Sequence, residues 1–206
     1  MSPTATDTRT ELVAVAARLL AEGGPQAVSV RRVAAEVGTS TMALYTHYGS
    51  KPELLRAVVL DGFRNLADRM SRVRRTDDPV ADLAGLARAY RRAALDQPNL
   101  FKAMFDRSPG ETLTDIEDQR VALSTFLVLV EAVQRAIDAG RIDECAADQL
   151  ALEAWSTVHG LVSLEVAGGI QSTGQATLAL TNLIRYLAIG AGDDRDRAAA
   201  SVPHPR

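Results

Sequence analysis

The sequence predicts an all-α protein of about nine helices, with an N-terminal helix-turn-helix domain and a larger helical C-terminal domain. Apolar residues recur at i, i+3, i+4 spacing along nearly the whole chain. Alanine is abundant while aromatics reach only 4% of 206 residues, a mix that favours helix over sheet. No segment alternates apolar and polar residues between hairpin turns.

The elements follow in order. Leu12, Ala16, Leu19 and Leu20 share one face of a first helix, which Gly23-Gly24-Pro25 stops. Ser29 reads as an N-cap for a second helix with the stripe Val30, Val33, Ala34 and Val37, and Gly38 ends it. Thr39 or Ser40 caps a very short third helix to about Tyr48, and Gly49 breaks it. Ser50, Pro52 and Glu53 then form a capping box with proline in the first turn. They open a fourth helix to about Val73 that buries Leu55, Val58, Val59, Phe63 and Leu66. The stretch "RRTDDP", 74–79, is the predicted domain boundary. Beyond it lie helices at 79–96 and about 98–106, and the loop "RSPGETLT". A long helix follows from about 114 to 139, with Leu123, Phe126, Leu127, Val130, Val133 and Ile137 in register. Gly140 ends it. The last two helices cover about 145–167 and 173–190. The tail "GDDRDRAAASVPHPR" offers no apolar face, so 192–206 is expected to be disordered. The expected division is 1–50 for the helix-turn-helix domain, 51–73 as a connecting helix and 74–191 for the second domain.

Charge and composition narrow the function classes. Residues 1–75 hold 11 Lys+Arg and 7 Asp+Glu, a balance of +4, while the remainder carries −7 of the net −3. A basic first third on an acidic body suits an anionic partner for that first third. Cys145 is the single cysteine. With no spaced set of Cys or His ligands, neither a metal nor a cofactor is expected. No nucleophile–base pair or phosphate-cradling glycine loop stands at usable spacing, so an enzyme is not expected. The N-terminus "MSPTATDTRTEL" has no apolar core of a secretory signal, and no apolar run is long enough to span a membrane. The expected compartment is the cytoplasm.

The segment "TSTMALYTHYGSK", 39–51, carries five Ser and Thr hydroxyls, two tyrosines, a histidine and a lysine around a small apolar face. Two short helices joined at Gly38 form a helix-turn-helix pattern, in which the second helix enters the DNA major groove. DNA affinity comes largely from phosphate contacts by cations, hydroxyls and exposed N–H groups. Lys51, beside the free N–H groups opening the fourth helix, with Tyr45 and His47, fits that role. Arg31 and Arg32 oppose the dipole of the second helix unless an anion lies opposite. Ser29 and Thr41 add hydroxyls. Thr41, Met42, Ala43 and Thr46 are the candidates to touch bases, although none pairs bidentately with guanine or adenine.

The run "AVSVRRVAAEVGTSTMALYTHYGSKPELLRAVV" resembles the N-terminal domain of the TetR family of bacterial transcriptional regulators. The matching features are Val33-Ala34-Ala35-Glu36-Val37-Gly38, then Leu44-Tyr45-x-His47-Tyr48, then Lys51-x-x-Leu54-Leu55. Tyr48 stands where the family more often has phenylalanine, and reads as a core residue with its hydroxyl at the edge. The stretch "WSTVHGLVSLE", 155–165, resembles the Trp-x-x-x-His-Gly motif of one subgroup of the family's C-terminal domains.

The resemblance implies a ligand-responsive regulator of a double-stranded DNA operator, most often a repressor. Its C-terminal domain would bind a small-molecule effector and form a homodimer through the last two helices. Those helices are apolar on two faces, and Val158, Leu161, Leu180, Leu183, Ile184 and Leu187 are the candidate interface. Tyr90, Phe101, Met104, Phe105, Phe126, Leu127, Trp155 and His159 are the candidate lining of a cavity for a hydrophobic or aromatic effector. Most of these residues also read as plain core, and His159 as a core histidine bonded to a neighbour. The competing reading is a ligand- or protein-binding helical module without DNA function.

Overall fold

The computed structural model describes residues 5–105 and 115–205, and among them every regular element is helical. The ten helices are α1 (Ala5–Gly23), α2 (Val30–Val37), α3 (Thr41–Tyr48), α4 (Lys51–Ser71), α5 (Pro79–Asp96), α6 (Pro98–Phe105), α7 (Ile116–Asp138), α8 (Ala147–Val166), α9 (Thr173–Gly190) and α10 (Arg195–Ser201). The expected loop over 107–114 lies outside the described residues.

The chain packs as two units. One holds residues 1–65 with 96–122, the other 66–95 with 123–206. The division therefore differs from a single cut at 74. In the first unit α1 packs on α2, α3 and α6. Leu12, Ala16, Leu19, Val33, Leu44, Leu54 and Val58 are its sealed core. Asn99 of α6 donates to the Ala21 carbonyl at 2.7 Å. Phe63 meets Phe105 edge-on at 5.4 Å, and Phe101 lies 4.9 Å from Phe105. Gly62 makes room for this packing, because a Cβ there would lie 2.9 Å from Met104 Sδ. Arg56 of α4 donates to Asp118 of α7, whose carboxylate is buried, and pairs with Glu53 at 3.1 Å.

In the second unit α8 packs on α9, and α9 on α10. Asp78 caps α5 by accepting from the N–H groups of Val80 and Ala81. Arg91 of α5 grips Glu165 of α8 through two 2.6 Å hydrogen bonds and reaches Thr177 of α9 at 3.2 Å. One buried ion pair thus holds three helices in register.

The C-terminal tail is a correction. Where disorder was expected, Asp194 caps α10, and Ala198 and Val202 are fully buried. The anchor is polar, which is why an apolar pattern did not reveal it. Arg141 donates to both Asp193 carboxylate oxygens at 2.8 Å, to Asp78 at 2.8 Å and to Ser201 at 2.9 Å. Arg185 donates to the Val202 carbonyl at 2.7 Å.

Candidate DNA-binding surface and effector cavity

The turn between α2 and α3 is fixed by local chemistry. Ser29 Oγ accepts from the Arg32 N–H at 3.2 Å, and Ser40 Oγ from the Ala43 N–H at 3.1 Å. Each such cap contributes about 1 kcal/mol. Gly38 sits at φ 75°, which a side chain would make costly. The Thr39 N–H reaches the Ala34 carbonyl at 2.9 Å and the Gly38 N–H reaches Ala35 at 3.2 Å, a Schellman ending. Leu44 is sealed against the brace helices, and Tyr48 is buried. The Tyr48 hydroxyl donates to the Arg9 carbonyl at 2.8 Å.

What remains outward is the polar side of α3. Thr41, Met42, Tyr45 and Thr46 are exposed, Met42 at 71% and Tyr45 at 47%, while Ala43 and His47 are half-buried. Thr46 turns its hydroxyl proton to the Met42 carbonyl at 2.9 Å, so its methyl and lone pairs are what it can offer a base edge. Lys51 Nζ lies 3.5 Å from the Pro25 carbonyl. Arg31 is exposed and has no carboxylate partner among the described residues. Arg32, its neighbour, is bound to Glu36 at 3.1 Å, and Glu36 is bound also to Arg18. Arg18, with Arg32 behind it, holds the Glu36 carboxyl below the usual carboxylate range. Arg32 is thus held along α2 by Glu36, which Arg18 ties to α1, and Arg31 is the cation available to an outside anion.

The second unit holds a half-open cavity of about 70 Å³ between the end of α4, α5, α7, α8 and α9. Its wall includes Met70, Val80, Leu83, Leu86, Tyr90, Leu129, Val133, Ile142, Leu150, Trp155, Val158, Ile184 and Leu187, and no charged side chain. Its polar groups are at one end. Trp155 Nε1 donates to the Tyr90 hydroxyl at 3.4 Å, and that hydroxyl is 2.7 Å from His159 Nδ1. Ser163 Oγ lies 3.2 Å from His159 Nε2. Burial lowers the His159 pKa and raises that of Tyr90, so both are neutral near pH 7.

Of the residues expected at a cavity, Tyr90 and Trp155 line it, and His159 stands behind Tyr90. Phe126 meets Trp155 edge-on at 6.4 Å. Leu127 is 61% exposed, on the outer face of α7. Phe101, Met104 and Phe105 belong to the first unit and form its aromatic packing. Met70, Val133, Ile142, Leu150, Ile184 and Leu187 were not singled out as lining. Their apolar character is visible in the sequence, but nothing linear distinguishes a core residue beside a void from one that is fully packed.

Of the expected interface residues, Val158, Leu180 and Ile184 are buried within the chain's own second unit, and Val158, Ile184 and Leu187 face the cavity. Leu161 and Leu183 are half-buried. The outward stripe of α8 is Leu152, Ser156, Gly160 and Leu164, all exposed. That of α9 is Leu178, Asn182 and Tyr186, with Tyr186 at 67%. A Cβ built on Gly160 would meet nothing within 4 Å. The most apolar stripes go to the core, and the outward stripes still expose Leu152, Leu164, Leu178 and Tyr186.

Among the described residues no group of His, Cys, Asp and Glu could hold a metal ion, and no helix is long and apolar enough to cross a membrane.

Comparison with known proteins matches this arrangement at both ends. The family described as "Bacterial regulatory proteins, tetR family" matches residues 12–58, and "Tetracyclin repressor-like, C-terminal domain" matches 83–187. An uncharacterized HTH-type transcriptional regulator of Mycobacterium tuberculosis is 29% identical over 187 residues, covering 88% of this chain and 80% of that one. A protein of unknown function from Rhodococcus sp. RHA1 superposes with a TM-score of 0.79 at 26% identity, over 90% of this chain and 96% of the other. RolR, solved in complex with resorcinol, shares the fold at 16% identity, with a TM-score of 0.69 over 98% of this chain and 95% of its own.

Proposed function

The chain belongs to the TetR family of bacterial transcriptional regulators, and on that premise we propose that it is a homodimeric, cytoplasmic repressor released from its operator by an uncharged hydrophobic or aromatic effector. The observation that carries the effector class is the cavity, which has an apolar wall, no charge and one polar end made by Tyr90 and Trp155. Burying an unpaired carboxylate or ammonium there would cost many kcal/mol. An apolar ring with a single hydroxyl or carbonyl suits it. RolR, of the same fold, holds resorcinol.

The cavity's 70 Å³ is about half the ~150 Å³ of an apolar cavity that binds benzene. Effector binding therefore enlarges it, and the wall helices move. Helix α4 carries both Met70 of the wall and Lys51 of the DNA surface. Operator affinity falls by the effector's differential affinity for the two states. The outward stripes of α8 and α9 are the surfaces offered to the second protomer, with Gly160 permitting close helix approach.

The test is a gel shift with DNA from upstream of the protein's own gene, read together with molar mass in solution. Salt-sensitive binding by a dimer, reversed by small phenols and not by carboxylates of equal size, is the expected result. Binding that ignores every apolar compound but yields to anionic metabolites would refute the effector class. No DNA binding at any salt concentration would favour the module reading.

A further inference from the structure

We propose that Arg9, near the start of α1, is a DNA-phosphate contact and that Tyr48 holds it in place. The inference rests on the DNA-binding reading above. Arg9 is exposed, and its guanidinium carbon stands 5.5 Å from the centre of the Tyr48 ring. The same tyrosine donates its hydroxyl to the Arg9 carbonyl at 2.8 Å. One buried side chain of α3 therefore fixes both the backbone and the side chain of Arg9. A family phenylalanine could supply the ring but not the hydrogen bond, so this chain's departure at Tyr48 has a consequence.

The distribution of carboxylates supports an outside anion. Arg18 and Arg32 are paired with Glu22 and Glu36, and Arg56 with Glu53, Asp115 and Asp118. Those three are brackets between or along helices. Arg9, Arg31 and Lys51 lack an ion-pair partner among the described residues. Asp61 acts electrostatically on Tyr48, yet it is hydrogen-bonded to Asn65 at 2.9 Å and makes no ion pair with Arg9. Arg9 reaches Tyr48 at the end of α3, one residue from His47 and three from Lys51. The ring orders the guanidinium, which also acts on the Tyr48 hydroxyl, and its outward N–H groups remain for a phosphate oxygen.

The experiment measures affinity against salt concentration for wild type, R9Q, R9K and K51A. The probes are duplex DNA from the upstream region and a random duplex. Each phosphate contact contributes about 0.9 to the slope of log affinity on log salt, so R9Q in a two-fold complex lowers the slope by about 1.8. The loss is equal on both duplexes, because a phosphate carries no sequence. R9K keeps most of the slope. An R9Q slope equal to wild type, with K51A reduced, overturns the Arg9 contact while leaving the DNA reading intact. A wild type without salt-dependent binding overturns the reading itself. R9K losing as much slope as R9Q also overturns the proposal, since charge is then not what matters. Trp155 fluorescence and melting temperature confirm that each variant is folded.

Discussion

The Tyr90 hydroxyl lies 2.7 Å from His159 Nδ1, joining α5 to α8 at the polar end of the cavity. Tyr90 accepts from Trp155 Nε1, and in the tautomer that lets it also donate to His159, its own proton goes to Nδ1. The neutral histidine then carries its proton on Nε2, facing Ser163 Oγ at 3.2 Å. This chain works only while His159 is neutral, because an imidazolium has no acceptor nitrogen.

Folding stability will therefore fall with acid in a particular window. Burial holds the His159 pKa below the ordinary value of about 6.5. Above that value neither folded nor unfolded chain is protonated there, and stability is fully present. As pH falls below it, the unfolded chain takes the proton first and stability is lost until the folded pKa is passed. Urea midpoints for wild type and H159Q at pH 7.5 and 5.5 check this. The wild type will lose more than the variant, and equal losses would exclude His159 as the source.

Filling the cavity will separate effector binding from folding. Ala154 and Ala188 both face it. Ala188→Leu should stabilise the protein by about 0.5–2 kcal/mol, the usual gain from cavity filling. It should abolish stabilisation by small phenols while leaving DNA binding intact. Trp155, the single tryptophan, reports ligand entry directly by fluorescence. A variant that still responds to effector would place the ligand elsewhere.

The Arg91–Glu165 pair will be costly to halve. Its side chains are only 13% and 8% exposed. Glu165→Ala leaves a nearly buried guanidinium without its partner and should lower stability by about 3–5 kcal/mol. Replacing both residues, as Arg91→Met with Glu165→Leu, should recover most of that loss. Chemical denaturation of the single and double variants decides it. A double variant as unstable as the single one would show that the pair's geometry, not burial of charge, sets the cost.

Removing the tail will destabilise the second unit. Asp193 is fully buried against Arg141. Arg141→Ala leaves the Asp193 carboxylate buried without its partner and should cost roughly 3–5 kcal/mol, and truncation after Gly192, which removes that pair together with the buried Ala198 and Val202, should cost at least as much. The two losses should not add. Thermal melts of both variants and their combination test it, and full additivity would deny the shared interaction.

The sequence by itself determined the helices, the helix-turn-helix and its polar side. Helical period, Ser29, Gly38 and Ser50 are local signals, and caps and left-handed glycines act within a few residues of themselves. The exposure of Tyr45 and Arg31 follows from the same helical register. Only the tertiary structure decided what depends on residues far apart in the chain. It tied Glu36, the i,i+4 partner of Arg32, to Arg18 of α1, 18 residues earlier in the chain. It moved Phe101, Met104 and Phe105 into the first unit's core, and it turned Val158 and Ile184 toward a void instead of outward. It ordered the tail through Arg141, 52 residues before its Asp193 partner. A buried charge pair leaves no periodic trace in the chain, and a cavity is an absence of atoms that no single residue encodes.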